Sequence, residues 1–152
     1  MSLTIQARRE PLFTIGYEGR SIEELLSVLA LNRIDLLVDV RENAVSRKAG
    51  FSKRALAEAL GDVEIEYSHE PLLGNPRENR AGFHGEAVGE ARRLYLQHLN
   101  NGSREAYEAV IALTATRRVA LLCFERDERK CHRSCIVEQA KADYPMIWVC
   151  RL

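Results

Sequence analysis

The sequence predicts one α/β domain over residues 1–152, a three-layer Rossmann-like fold with a mainly parallel five-stranded sheet. Short runs that are apolar at nearly every position are typical of parallel strands covered on both faces. Segments with helical periodicity separate these runs, and alternating strands and helices favour right-handed crossovers. With 152 residues, 46% of them hydrophobic, the chain is long enough to bury one such core.

Four apolar runs are predicted as buried strands, and one alternating segment as an edge strand. Val63, Ile65 and Tyr67 alternate with polar residues, which is typical of a strand with one face in water. Placing this strand at an edge gives a predicted strand order of 3-2-1-4-5. The four buried runs are residues 12–16, 34–40, 119–124 and 146–150.

Five segments are predicted as helices. The first begins with Ser21 and Glu24, the pattern of a capping box, and continues with leucines on one face. The last ends before Pro145, because proline does not continue a helix. The other predicted helices lie around residues 52–60, 88–99 and 107–114. The last is predicted to open at Cys131-His132-Arg133, and its apolar face is marked by residues from Ile136 to Tyr144.

Charge and hydropathy limit the partners of the chain. Basic and acidic residues number 22 each, so no uniform positive field attracts nucleic acid, and any anion site must be local. No apolar run approaches the roughly 20 residues that span a bilayer, and residues 1–11 are polar, without a secretion signal. We therefore expect a cytoplasmic protein with no membrane partner. Its four cysteines are then thiols, ligands or packing residues.

The predicted strand order places a ligand site at the ends of the first, second and fourth strands. In doubly wound sheets, ligands bind outside the carboxyl ends of the strands, at the point where the strand order reverses direction. Gly16 and Tyr17 follow the first strand, and Glu125 follows the fourth. Asp39 and Arg41 close the second strand alongside them.

A long loop follows the predicted edge strand. Residues 70–85 are rich in Gly, Asn and Arg, and we expect this segment to fold over the site as a lid. His69, before the loop, and His84, within it, are candidate acids or bases. The alternative is that both histidines are simply solvated.

Two polar groups after the second strand each allow a structural and a ligand-binding interpretation. Asp39 and Arg41 are two residues apart and point to the same face of an extended strand. They form either a structural ion pair or a site in which Arg41 holds a phosphate or carboxylate that Asp39 helps to orient. Ser46 and Arg47 belong either to an anion cradle or to a solvated loop in which Ser52 caps the next helix.

The fourth strand and the last helix carry the remaining candidate chemistry. Glu125 is predicted as a general base or ribose-hydroxyl acceptor, or as an ion-pair partner of Arg41 or Arg133. At the predicted start of the last helix, Lys130 and Arg133 favour the thiolate of Cys131, the form that a nucleophile requires. The alternative is that Cys131 is a buried packing residue.

Two partial motifs are rejected. Cys123 and Arg129 have the spacing of cysteine phosphatases, but the acidic residues between them would repel a phosphate. Gly16 and Gly19 follow a strand but lack the full spacing of a dinucleotide-binding loop. Gly16 still allows a close approach of a ligand to the backbone.

A zinc site is weighed as a minority interpretation. Cys131 and Cys135 are one helical turn apart and could join Cys123 and His132 around a metal ion. On a helix, however, His132 would project about 100° away from Cys131. The sequence also has no second pair of closely spaced cysteines to complete the ligand set.

Several short motifs match a known family in order and spacing. They are Thr14-Ile15-Gly16-Tyr17, Asp39-Val40-Arg41, Ser46-Arg47, Phe51, Leu73-Gly74, Cys123-Phe124-Glu125 and Cys131-His132-Arg133. Over nearly its whole length the chain resembles the bacterial and archaeal family described as domain of unknown function DUF488. One departure is Ala44, in a loop where the family usually has proline. The resemblance implies a single α/β domain and groups the same strand-end residues, and it implies no particular activity.

The leading hypothesis is an enzyme, or a degenerate enzyme, acting on a nucleotide-like or other phosphate-bearing ligand. Arg41, Arg47 and Arg133 would hold the anionic group, with Glu125 and Asp39 as acid–base or hydroxyl-binding residues. The alternative is a non-catalytic module that binds a nucleotide or a nucleic-acid end. A third hypothesis is a zinc or reactive-thiol site at Cys123, Cys131 and Cys135; otherwise no cofactor is predicted. The remaining predicted ligand-binding residues are Gly16, Tyr17, Ser46 and His132.

Overall fold

The computed structural model describes residues 9–152, in which five strands form one sheet with helices on both faces. All neighbouring strands pair in parallel, so the predicted α/β class with a parallel sheet is confirmed. None of the helices in this part of the chain is both long and apolar enough to cross a membrane. The strands are β1 (Leu12–Gly16), β2 (Leu36–Asp39), β3 (Glu66–His69), β4 (Val119–Cys123) and β5 (Val149–Arg151). The helices are α1 (Ile22–Leu31), α2 (Lys53–Asp62), α3 (Val88–Asn101), α4 (Arg104–Leu113) and α5 (Arg133–Asp143).

The strand order is 3-2-4-1-5, which differs from the predicted order by the exchange of β1 and β4. Val119 of β4 is in register with Leu36 of β2 on one side and with Leu12 of β1 on the other. The predicted edge position of β3 is confirmed. Every residue of both β1 and β4 is buried, so the hydrophobic pattern cannot distinguish which of the two is central.

Two hydrophobic cores lie on opposite faces of the sheet. On one face, α1 and α2 bury residues such as Leu25 and Leu56. On the other face, α3, α4 and α5 bury residues such as Tyr95. Neighbouring residues of β4 face opposite cores. Leu121 packs in the core of α3, α4 and α5, and Leu122 packs in the core of α1 and α2. Each such large apolar side chain contributes about 1.5–3 kcal/mol when fully buried, so β4 stabilises both layers.

The side-chain cap predicted at the N-terminus of α1 is present in the structure, whereas the one considered for α2 is absent. At α1, Ser21 Oγ accepts from the Glu24 backbone N–H at 3.1 Å, and the Glu24 carboxylate accepts from the Ser21 N–H at 3.4 Å, which confirms the capping box. Ser52 precedes α2, but its side chain does not cap the helix. Instead, its hydroxyl donates to the Ser46 carbonyl at 3.1 Å and fastens the preceding loop.

Residues 70–85, here called the cover segment, contain three short 3₁₀ helices. The Tyr95 hydroxyl of α3 donates to the Leu73 carbonyl at 2.6 Å, and the Asn79 amide donates to the Ala91 carbonyl at 2.9 Å. These bonds fix the cover segment to α3. The 3₁₀ helices are Pro71–Leu73, Arg77–Asn79 and Ala81–His84.

Gly16→Ala is expected to destabilise the protein. A Cβ at this residue would lie 1.9 Å from the carbonyl oxygen of Glu125, so the backbone after β4 would have to move. We expect the free energy of unfolding to fall by about 1–3 kcal/mol, the usual cost of overpacking. Urea and thermal unfolding followed by circular dichroism measure this loss.

Gly61→Ala is the matched control. Nothing lies within 4 Å of a Cβ at this residue near the end of α2. Because alanine has the higher helix propensity, we expect a gain of about 0.5–1 kcal/mol in the free energy of unfolding. Wild-type stability of Gly16→Ala would show that the backbone near Glu125 is not tightly packed against β1.

Candidate functional site

A pocket of about 360 Å³ opens at the carboxyl ends of β1, β2 and β4, where the sequence places a ligand. Its walls are the loops after these strands, the turn before α5 and the cover segment. The following residues singled out from the sequence line it: Tyr17, Arg41, His84, Cys123, Glu125, Lys130, Cys131 and His132. It is also lined by residues that the sequence did not single out, including Asn75, Arg80, Phe83 and Phe124.

Gly16 allows the loop after β4 to pass close to the end of β1. The Tyr17 backbone N–H donates to the Cys123 carbonyl at 3.2 Å, which extends the pairing of the two strands. The space beside the Gly16 Cα is occupied by the backbone of Glu125. The close approach that this glycine permits is therefore an approach of the protein's own chain.

Asp39 and Arg41 form a buried, bidentate ion pair at the end of β2. The guanidinium donates from Nε to Oδ1 at 2.8 Å and from Nη2 to Oδ2 at 2.6 Å. The Arg41 backbone N–H donates to Oδ1 at 3.1 Å, and the Tyr67 hydroxyl donates to Oδ2 at 2.5 Å. Arg41 Nη1 also donates to the Tyr17 hydroxyl at 3.2 Å. The geometry matches the structural interpretation of the pair, in which Asp39 positions Arg41 at the pocket wall.

Cys123, Cys131 and His132, here called the Cys–His cluster, bring two sulfurs and an imidazole together in the pocket. Their ligand atoms all lie within 4.8 Å of one another. Cys131 Sγ is 3.6 Å from His132 Nδ1, and His132 Nε2 is 2.8 Å from the Val40 carbonyl oxygen. A carbonyl oxygen only accepts, so Nε2 carries a proton and Nδ1 faces the sulfur.

Two predictions about the cysteines were wrong: the helical placement of Cys131 and the inclusion of Cys135 in the site. Cys131 is extended, with φ −137° and ψ 146°, and α5 begins at Arg133 rather than at Cys131. The helical separation that argued against a joint site of Cys131 and His132 therefore does not apply. Cys135 lies in the hydrophobic core, outside the Cys–His cluster, and burial raises the pKa of its thiol to about 11.

The two thiols of the Cys–His cluster titrate in opposite directions. A hydrogen bond to Cys131, together with burial, raises the pKa of Cys123 well above its usual value. Burial also acts to raise the pKa of Cys131, but the hydrogen bond from Cys123 and the nearby His132 and Arg133 hold it well below its usual value. These surroundings therefore favour the thiolate at Cys131 over a thiolate at Cys123.

Glu125 lies beside the Cys–His cluster. Its Oε2 lies 3.5 Å from Cys123 Sγ, and its Oε1 is 3.3 Å from His84 Nε2 of the cover segment. Burial and the charge of Cys131 raise the pKa of the Glu125 carboxyl group. The pairing of a loop histidine with this carboxylate joins two residues that the sequence analysis had considered separately.

Three of the predicted anion-binding residues do not line the pocket. Arg47 is exposed, and Ser46 is bonded to Ser52 within its loop. Arg133 is buried and donates to Thr14 Oγ1 at 2.5 Å and to the Glu125 carbonyl oxygen, beside a second depression of about 220 Å³. Of the three arginines in the leading hypothesis, Arg41 is the one in the pocket.

Asp39→Asn is expected to destabilise the protein by about 3–5 kcal/mol, because it leaves a buried guanidinium without its compensating charge. Urea denaturation measures the change. Glu58→Gln, which removes the carboxylate of an exposed ion pair with Arg54, is the control and should leave stability unchanged within experimental error. Equal effects of the two substitutions would mean that the Asp39–Arg41 pair is solvated rather than buried.

The chain was compared with family models, curated proteins and solved structures. The family model described as "Domain of unknown function DUF488" matches residues 21–140. Comparison with curated proteins and with solved structures found no match. The matched range covers most of the chain and includes Arg41, Glu125 and the Cys–His cluster. The resemblance found in the sequence motifs is confirmed, and the chain belongs to the DUF488 family.

Proposed function

We propose that the chain is an enzyme that acts on a nucleotide-like or other phosphate-bearing small molecule in the pocket at the strand ends. The observation that carries this proposal is the position of the Glu125 carboxylate, 3.3 Å from His84 Nε2 and 3.5 Å from Cys123 Sγ. This side chain is 18% exposed and faces the space where a ligand would lie. Carboxylate, imidazole and thiol groups that converge in one pocket are typical of catalytic sites.

The lining of the pocket favours a ligand with a flat ring and an anionic group. Phe124 is 44% exposed and stands edge-on to Tyr17, with ring centres 5.3 Å apart, so aromatic surface is left for stacking. Lys130 lines the same pocket and attracts a phosphate or carboxylate, whereas the charge of Arg41 is balanced by Asp39. The volume of about 360 Å³ is within the range of about 300–1,000 Å³ that is usual for small-molecule sites.

The proposed roles follow from what each group contacts. Glu125 accepts or donates a proton, with His84 of the cover segment as its partner. Asp39 does not react, because Arg41 and Tyr67 already donate to both of its oxygens. Cys131 is 2% exposed, so it contacts a ligand group that reaches the inner wall of the pocket.

The charge of the pocket favours an enzyme over a non-catalytic binding module. A module that binds a phosphate needs cationic and polar groups, and a carboxylate near its ligand weakens the binding by repulsion. Glu125 is such a carboxylate, in the same pocket as Lys130 and Arg41. A chemical role for Glu125 accounts for its presence, whereas a purely anion-binding role does not.

The ligand class is tested by thermal-shift screening against nucleotides, nucleosides, sugar phosphates and inorganic phosphate. A ligand at 100 times its Kd should raise the free energy of unfolding by about 2.7 kcal/mol. Lys130→Gln should weaken the binding of an anionic ligand by roughly tenfold to a hundredfold, the usual worth of a hydrogen bond to a charged group. Lys141→Gln, exposed on α5 and outside the pocket, is the control and should bind like the wild type. No stabilisation by any phosphate-bearing compound would count against this ligand class.

Glu125→Gln separates an enzyme from a binding module. The ligands found by the screen are incubated with the protein, and products are detected by chromatography and mass spectrometry. We expect turnover to fall by about 10²–10⁴-fold, the usual contribution of a general acid or base, while the ligand still raises the Tm. Unchanged turnover would remove Glu125 from the reaction. A ligand that binds to the wild type but is never converted would favour the non-catalytic module.

A further inference from the structure

The Cys–His cluster presents three soft donor atoms to one point in the pocket wall. Cys123, Cys131 and His132 are 8%, 2% and 4% exposed, and all three line the pocket. Cysteine sulfur and histidine nitrogen are the preferred ligands of zinc in proteins. The function proposed above uses the carboxylate beside this cluster and gives the cluster no part in the reaction beyond a contact of Cys131 with the ligand.

We propose that Cys123 Sγ, Cys131 Sγ and His132 Nδ1 bind a zinc ion whose fourth coordination position opens to the pocket. Three protein ligands and one open position are typical of catalytic zinc, whereas structural zinc has four protein ligands. The catalytic meaning of the ion rests on the proposed function. Zinc binding itself does not, and it can be measured without a substrate.

The separation of the donor atoms fits a tetrahedral ion. With Zn–S near 2.3 Å and Zn–N near 2.0–2.1 Å, a tetrahedral angle places sulfur and nitrogen about 3.6 Å apart. Cys131 Sγ and His132 Nδ1 are 3.6 Å apart, and all three ligand atoms lie within 4.8 Å of one another. Small rotations of the side chains are therefore enough to bring the three atoms around one ion.

The backbone of β2 orients the histidine for this role. His132 Nε2 donates its proton to the Val40 carbonyl at 2.8 Å, which leaves Nδ1 as the ligand atom. Metal-bound histidines usually donate their other ring N–H to a carbonyl or a carboxylate, and this bond fixes the tautomer. Any buried histidine needs an acceptor for its ring N–H; what favours ligation here is that this bond leaves Nδ1 facing Cys131 Sγ at 3.6 Å.

Charge balance and position agree with a divalent ion at this point. Two thiolates, a neutral imidazole and Zn²⁺ sum to zero, so the ion is buried without net charge. Glu125 Oε2 lies 3.5 Å from Cys123 Sγ, outside the Cys–His cluster but next to it. It is placed to accept a proton from a molecule bound at the open position, where zinc supplies Lewis acidity.

Metal analysis of the full chain tests the proposal. Protein purified without chelator is equilibrated with zinc sulfate, dialysed against metal-free buffer and analysed by mass spectrometry of its metals. We expect about one zinc per chain, the content of a single Cys₂His site. Cys131→Ser and His132→Gln should each lower this content by more than about tenfold, because each removes a ligand. Cys150→Ser is the matched control, since Cys150 lies in β5 outside the Cys–His cluster.

Absorption spectroscopy of the cobalt-substituted wild type gives a second measurement, which does not depend on whether the variants fold. Co²⁺ bound by two thiolates in the wild type should show sulfur-to-metal absorption in the near ultraviolet and the strong visible bands of a tetrahedral ion. A folded wild type that holds neither zinc nor cobalt would overturn the proposal, as would zinc that both ligand variants retain. Zinc at this site without turnover of any ligand would support the metal site and count against the proposed enzyme.

Discussion

The position of β4 between β2 and β1 decides which side chains meet at the carboxyl edge of the sheet. All five residues of β4 are buried, and its backbone pairs on both sides. Parallel strands end at the same edge, so Cys123 and Glu125 emerge between Tyr17 and Arg41. With β1 in the centre, Glu125 would lie one strand further from Arg41, a distance of about 4.8 Å. The pocket therefore depends on the pairing of β4 on both sides, and on the β1 side Gly16 leaves room for the backbone at Glu125.

The features of the fold that could be predicted are those encoded in neighbouring residues. The capping box of Ser21 and Glu24 and the end of α5 before Pro145 are local signals, and both are found in the structure. The order of β1 and β4 has no local signal, because both strands are buried on both faces. It is determined by which strand the other elements pack against, and that is a property of the whole chain.

In the candidate site, too, residues with a local sequence signal could be predicted and those placed by long-range packing could not. Arg41 and Glu125 could be predicted because each follows a buried strand by two residues. The contact between Cys131 and His132 could not be predicted. It depends on the extended backbone of Cys131, which lies before α5, whereas the sequence pattern places Cys131 in the helix. Arg133 illustrates the opposite error: its place at the start of α5 was recognised, but its guanidinium is directed towards Thr14 of β1, away from the pocket. The composition of residues 70–85 predicts a lid over the site, but it does not predict which side chains of this segment line the pocket. Arg80 and Phe83 do so through long-range packing.

The polar groups at the carboxyl edge of the sheet differ in how completely their hydrogen bonds are made within the chain. This difference separates the groups that stabilise the fold from those available to a ligand. Asp39 is fully buried and receives short hydrogen bonds on both oxygens from Arg41 and Tyr67, so its desolvation is offset within the chain. Apart from the 2.8 Å bond between His132 Nε2 and the Val40 carbonyl, the side chains of Glu125 and the Cys–His cluster have contacts of 3.3 to 3.6 Å, and most of these involve sulfur. Sulfur is a weak hydrogen-bonding group, so these contacts replace water poorly. A folded chain gains little stability from keeping such groups together in a pocket, whereas an ion or ligand bound there would complete their coordination. The Asp39–Arg41 pair therefore serves to hold the edge rigid, and the poorly satisfied groups beside it are where binding contributes most.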